Sequence, residues 1–319
     1  MQKLLLQLHY ELRRFNVKKK SIETVFIGGG TPSTIAPHLF EKIFETLTPY
    51  LQENAEITTE ANPNSATETW LKEMYTLGVN RISFGVQSFD PDKLKLLNRA
   101  HSPHQAQEAV QNAFLAGFEH ISIDLIYGVF NDTRKLLQKD LENTFSLPID
   151  HLSAYSLTIE SGTPFEKKPH MAHEKIAHTQ WLFETIASYG FKQYEISNFG
   201  RYRSKHNLGY WQYADYIGIG SGAVGKLANT RFYPQTDIES YIENPLKIHQ
   251  EILEEKEMIF EKIFLGLRSI VGVKRSLLNT RQRKQADILA AEKKLLLKKD
   301  RYFNPDFLLA DEIALFLDS

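Results

Sequence analysis

Val25-Phe26-Ile27-Gly28-Gly29-Gly30-Thr31-Pro32 is the stretch from which the fold is read. Three β-prone apolar residues run into three glycines, a hydroxyl and a proline. The pattern predicts a strand ending in a turn whose backbone carries no side chains to keep a ligand away. Such a turn suits a carboxylate, amine or phosphate seated against bare backbone. A plain tight turn reads the same way, so the weight lies in what repeats after it.

Similar strand ends recur at Ile57-Thr58-Thr59-Glu60-Ala61-Asn62-Pro63 and at 81–89, 121–128, 152–160 and 193–197. Helical periodicity fills the intervals 37–51, 65–77, 102–116, 133–145 and 172–189, several of them opening on Ser or Thr and closing near Gly78, Gly117 or Gly190. Strand and helix alternating at this spacing predict a parallel α/β architecture with crossovers of one hand. Ligands in such sheets sit at the carboxyl ends of the strands. Thr31, Glu60, Gln87, Asp124 and Glu160 fall at those ends and are expected to share one face. Each has a structural alternative: Glu60 capping the next turn, Asp124 as a buried carboxylate on backbone amides, Arg99 as a solvated helix residue.

The chain has 319 residues, 38 Lys and Arg against 39 Asp and Glu, and no cysteine. Near-neutral charge gives no electrostatic case for nucleic acid as the main partner. Lack of cysteine excludes disulfides and fits the cytosol. No apolar run reaches membrane-spanning length and no signal peptide is legible. The β/α rhythm stops after about Tyr233, dividing the chain into 1–232 and a smaller, mostly helical 233–319. Within the first part, His206 is followed by Tyr210, Trp211 and Tyr213. Histidine is a common axial ligand of haem iron and aromatics pack on porphyrin faces. A hydrogen-bonded loop histidine beside core aromatics is the alternative. His170 and His173 lie in a polar loop beside Lys167 and Lys168, which reads as solvated rather than metal-binding.

The motifs Gly28-Gly29-Gly30-Thr31-Pro32, Glu60-Ala61-Asn62-Pro63, 81–89, Leu97-Asn98-Arg99-Ala100-His101 and 122–128, taken in order, resemble radical S-adenosylmethionine (SAM) proteins of the coproporphyrinogen III oxidase-like branch. His206-Asn207-Leu208-Gly209-Tyr210-Trp211 and Tyr216-Ile217-Gly218-Ile219-Gly220 narrow the resemblance to the HemW haem chaperones. It covers essentially the whole chain. It implies a partial (β/α)6 barrel with a small winged-helix-like C-terminal domain. It implies that Gly29, Gly30 and Thr31 meet the methionine part of SAM and that Glu60 holds its amino group. Gln87, Arg99 and Asp124 would contact the ribose and carboxylate regions. His206, Tyr210 and Trp211 are the implied haem contacts, with His206 on the iron.

Radical SAM proteins hold a [4Fe-4S] cluster on three cysteines after the first barrel strand, and this sequence offers none. Met1 opens directly on helical apolar spacing, as the first barrel helix would. The expectation is therefore that Met1 is an internal start, with the first strand and the cysteine loop upstream. Loss of that segment is the alternative. The cluster is expected only in a longer form, and SAM is expected to bind weakly without it. An apolar sheet edge is expected at the strand ending at Ile27. In the C-terminal part, Asp306 replaces a glycine common in the family, which touches a local turn. The resemblance implies a cytoplasmic haem-binding chaperone that transfers haem to acceptors such as respiratory haem proteins, touching membranes at most peripherally through them. A homodimer is left open. The alternative is an oxygen-independent coproporphyrinogen III oxidase-type radical SAM enzyme, which needs the missing cysteines.

Overall fold

A computed structural model describes residues 1–162 and 165–318. Its contacts divide the chain into two compact units. One comprises Met1–Ser21, Glu45–Leu51 and Ser204–Ser319; the other comprises Ile22–Phe44 and Gln52–Arg203. The boundary expected after residue 232 falls inside a strand of the first of these, Thr230–Pro234.

In chain order the regular elements begin with α1 (Gln2–Arg14), β1 (Ile22–Ile27), α2 (Glu41–Leu47), β2 (Leu51–Ala61), α3 (Glu68–Thr76) and β3 (Arg81–Gln87). Next come α4 (Pro91–Leu96), α5 (Pro103–Ala116), β4 (His120–Tyr127), α6 (Arg134–Phe145), β5 (His151–Ser156) and α7 (Ile176–Ser188). β6 (Lys192–Gln193), β7 (Asn198–Gly200), α8 (Lys205–Trp211), β8 (Gly225–Leu227), β9 (Thr230–Pro234) and α9 (Ile238–Glu243) follow. The chain closes with β10 (Ile248–Ile252), α10 (Glu255–Leu267), β11 (Val273–Lys274), α11 (Thr280–Ala291), β12 (Leu296–Lys298), β13 (Arg301–Phe303) and α12 (Ala310–Asp318).

The second unit is built on a sheet ordered β1-β2-β3-β4-β5-β7-β6. β2, β3, β4 and β5 pair in parallel, as the alternating rhythm demands. Ile82, Phe84, Ile123 and Leu152 are fully buried, which is why these strands read as apolar runs rather than as alternating ones. The helix starts follow capping chemistry. Ser102 and Gln105 close a capping box on α5, and the Thr67 and Thr133 hydroxyls accept from Trp70 and Leu136 amides. β1 forms one edge of the sheet.

Three expectations need correction. The span 193–197 does not give a sixth strand paired in parallel: β6 is two residues long, and β7 lies between it and β5, antiparallel to both. β5 stops at Ser156, so Glu160 lies beyond the strand end. The span 37–51 is interrupted, because Pro37 and Pro49 sit in 3-10 turns on either side of α2, and Leu51 already belongs to β2.

One buried ion pair fixes the loops above β3 and β4. Lys93 of α4 has no exposed side-chain surface; its Nζ lies 2.8 Å from Asp132 and 3.8 Å from Asp140 of α6. Asp140 also accepts from the Ser88 hydroxyl at 2.9 Å and the Phe89 amide at 2.6 Å. Asp132 accepts from the Val129 amide at 3.1 Å. Burial pushes the Asp140 pKa up to about 6, against the pull of Lys93 and the two hydrogen-bond donors.

The first unit holds the antiparallel sheet β10-β9-β8 and a C-terminal assembly of α10, α11 and α12 on the sheet β11-β13-β12. Leu267, Val273, Leu289, Leu295, Tyr302 and Ile313 form the core of that assembly, which is winged-helix-like in its order of elements. Asp306 resolves the expected irregular turn: its carboxylate caps the short 3-10 helix Phe307–Leu309 by accepting from the Leu308 amide at 3.0 Å. Helix α1 is tied into this unit by Gln7, which is fully buried. Its Oε1 accepts from the Gly220 amide at 2.9 Å and the Tyr241 hydroxyl at 2.8 Å, and its Nε2 donates to the Gly218 carbonyl at 3.4 Å.

Two stability predictions follow from these buried polar groups. Gln7→Leu strands three polar groups and is expected to lower unfolding stability by about 2–4 kcal/mol in urea melts. Lys93→Met leaves two buried carboxylates uncompensated and is expected to cost about 3–5 kcal/mol at neutral pH. That second loss should shrink below pH 6, where Asp140 takes up a proton; a loss independent of pH would rule out the charge explanation.

Candidate functional site

The carboxyl ends of β1 to β4 converge on a polar group of side chains, built up from glycine geometry. Gly29 has φ +79°, a conformation that favours glycine, and its amide donates to the Glu60 carboxylate. A Cβ on Gly28 would lie 2.6 Å from Phe26 Cε1 and 2.9 Å from Glu60 Oε2, so only glycine lets Glu60 fold over the turn. A Cβ on Gly29 or Gly30 would meet open space. Thr31 Oγ1 accepts from Asn62 Nδ2 at 3.4 Å, joining the glycine turn to the end of β2.

Parallel register then brings the next strands into line. Glu60 pairs with Ser83 across β2 and β3, and Asp124 with Ser153 across β4 and β5. Ser83 donates to Asp124 at 3.1 Å, and Ser153 also hydrogen-bonds it. Burial pushes the Asp124 pKa up, against these hydrogen bonds and the charges of Arg81 and Arg99. Burial also raises Glu60, and the neighbouring Asp124 charge adds to it. Arg99 is half-buried, its pKa drawn down by burial and up by Asp124. Two desolvated carboxylates thus lie near each other, with the guanidinium groups of Arg81 and Arg99 acting on Asp124.

Gln87 reaches the group by a less regular route. The β3–β4 register slips between Phe84 and Gln87, and Gln87 itself adopts φ +68°. Its side chain folds back so that a Cβ on Gly85 would lie 3.0 Å from Gln87 Nε2 and 3.5 Å from Asn62 Oδ1. The His101 ring, bonded to the Val86 carbonyl at 2.9 Å, braces this bulge. Gly29, Glu60, Arg99 and Asp124 are therefore linked by direct interactions; Asn62, just after β2, bonds Thr31, and both Asn62 and Gln87 lie beside Gly85. Sequence reasoning missed Ser83, Ser153, Lys93 and Asp140. The serines could have been found from strand pairing; the long-range aspartate contacts left no local signal.

The other expected residues lie in the first unit. Ser204 caps α8, its hydroxyl accepting from the Asn207 amide at 3.2 Å. This starts the helix so that His206 and Tyr210 fall one turn apart on one face. Their rings meet edge to face at 4.9 Å, and Tyr210 meets Tyr216 likewise at 4.7 Å. Burial raises the Tyr210 and Tyr216 pKa values, keeping both phenols neutral. Trp211 is the last residue of α8 and is half-buried. His170 and His173 are exposed, in keeping with a solvated loop. No helix among the described residues is long and apolar enough to cross a membrane.

Residues 4–143 match the Radical SAM superfamily. The chain is 35% identical over 277 residues to "Heme chaperone HemW" of Lactococcus lactis subsp. lactis (strain IL1403), covering 82% of this chain and 73% of that protein. It is 34% identical over 270 residues to the protein of the same name in Bacillus subtilis (strain 168), covering 79% of this chain and 71% of that protein. In fold it resembles the coproporphyrinogen III oxidase HemN of Escherichia coli, a radical SAM enzyme, with a TM-score of 0.81 at 18% identity, covering 100% of this chain and 82% of that one.

The Glu60 site carries a pH prediction. Its folded pKa is raised, so its stability contribution is greatest below the usual carboxylate range and is lost as pH rises through the folded value. Glu60→Gln keeps an acceptor for the Gly29 amide and removes the charge. Thermal melts should show the ligand-free variant more stable than wild type at pH 8, with the gap closing towards pH 4. A variant less stable at pH 8 would contradict this electrostatic account.

Proposed function

The chain belongs to the HemW family of radical SAM proteins, and from that premise we propose that it is a haem-binding chaperone that passes haem to acceptor proteins. The observation that carries the reading is the His206–Tyr210–Tyr216 arrangement, an imidazole backed by phenol rings at a helix start, in a chain of this family. Haem supplies an iron with open axial positions, for which a neutral imidazole is a good ligand. In this reading His206 offers that nitrogen, and Tyr210 and Trp211 give the ring apolar surface. Transfer needs a carrier contact that can be exchanged, and His206 and Tyr210 are not enclosed in the core.

The strand-end group fits the second ligand of the family, SAM. Glu60 and Asp124 are two neighbouring carboxylates whose pKa values burial raises. An ammonium at Glu60 would relieve that penalty by a charge-assisted hydrogen bond. The open space beside Gly29 and Gly30 gives the same ligand room against bare backbone, and Arg99 suits its carboxylate. Gln87 and Asp124 would take the ribose side, with Thr31 beside the glycine turn. These 319 residues do not fit an iron–sulfur cluster, because they include no thiol to hold it. The coproporphyrinogen III oxidase alternative draws on likeness of fold alone.

The test is a haem titration followed in the Soret region. His206→Ala is expected to abolish the axial-ligand signature and weaken binding by about tenfold or more, on the order of 1.4 kcal/mol. An unchanged titration would remove His206 from the site.

A further inference from the structure

The first unit contains a cavity of about 440 Å³ that the α8 segment borders but does not account for. Its size lies within the range of small-ligand pockets, about 300–1,000 Å³. Tyr210, Tyr213 and Tyr216 line it together with Phe260 and Phe264 of α10. Those two phenylalanines are stacked at 6.2 Å, yet Phe260 is 50% exposed, an arrangement that contributes little to folding. Tyr213 is also set in the left-handed region at φ +62°, where a bulky side chain is strained. Strain of that kind persists at sites where a side chain must be aimed.

Polar groups of the cavity are arranged for an anion. Glu261 lines it, but its charge is taken up by Arg231 and by the Tyr213 hydroxyl at 2.6 Å. Lys226 also lines it, with only 5% of its side chain exposed and its ammonium 4.3 Å from the Tyr213 ring centre. Lys226 Nζ donates to Asp215 Oδ1 at 2.9 Å and to the Tyr213 carbonyl at 3.5 Å; Asp215 is 57% exposed and also accepts from the Ala228 amide at 2.9 Å. A buried cation held by a half-exposed carboxylate, in a cavity lined by five aromatic residues, suits a flat ring system bearing acid groups.

We propose that this cavity receives the macrocycle of a carboxylated tetrapyrrole, with Phe260 and Phe264 clasping its face against the tyrosines and Lys226 meeting one acid group. The inference rests on the haem reading above and deepens it: recognition lies in the ring and its acid, not in the iron alone. Metal-free protoporphyrin therefore binds too, and its dimethyl ester binds less well.

The experiment titrates wild type, His206→Ala, Phe260→Ala, Phe264→Ala and Lys226→Met with haem, metal-free protoporphyrin and the dimethyl ester, with thermal melts alongside. Phe260→Ala, at a half-exposed position, should melt like wild type while losing about tenfold in affinity for haem and metal-free porphyrin alike. Phe264→Ala should lose at least as much. His206→Ala should weaken haem alone, and Lys226→Met should erase the preference for the diacid over the ester. If His206→Ala weakens haem while both phenylalanine variants bind as wild type, the cavity proposal falls and the haem reading stands. If wild type binds metal-free porphyrin but His206→Ala leaves haem binding intact, the cavity stands and the assignment of His206 falls. If wild type binds neither ligand, both are overturned.

Discussion

An ammonium with no access to water holds the ligand-facing end of the second unit together. Lys93 is confined between Asp132 and Asp140, and those aspartates in turn hold the backbone at Val129, Ser88 and Phe89. Moving a charge out of water is so costly that this geometry has few alternatives. Two connections, after β3 and after β4, are thereby fixed relative to α6. Gln87 can hold a left-handed backbone because the residue after it is anchored, and Arg99 follows directly from the helix that carries Lys93. Positions of the candidate ligand-binding side chains are therefore secondary to this buried pair.

The same electrostatics explains why the strand-end site is costly to the empty protein. Glu60 and Asp124 are both desolvated and repel each other, and the charges of Arg81 and Arg99 offset part of that at Asp124. Such a site gains by binding a cation, since the penalty of the empty state is relieved by the ligand. Stability given up in the free protein becomes affinity in the bound one. The aromatic site of the first unit works on different terms. Its tyrosines stay neutral, its carboxylate is engaged, and its contribution is flat apolar surface beside a buried lysine.

Much of the fold was legible because the signals are local. Apolar runs of fixed length gave the parallel strands, and Ser102, Thr67 and Thr133 marked helix starts by capping chemistry that depends on neighbours three residues away. Reading failed where pairing rather than pattern decides. Residues 193–197 were expected as a strand, but β6 ends at Gln193 and the place beside β5 is taken by β7, which returns antiparallel to it. Glu160 was placed at a strand end by its spacing, and the strand stops earlier.

For the candidate sites the division is similar. The sequence by itself determined which residue types stand at the strand ends, where the glycine turn must lie, and that His206, Tyr210 and Tyr216 follow one another in a short segment. It also determined that no thiolate is available in these residues. Only the tertiary structure decided that Ser83 and Ser153 support Asp124, that Asp140 reaches back to Phe89, and that Gln7 clamps Gly218 and Gly220. It alone brought Phe260 and Phe264 to the same cavity as Tyr213. The physical reason is range: capping, turns and strand propensity act over a few residues, whereas buried charges and aromatic walls are completed by partners dozens to hundreds of residues away.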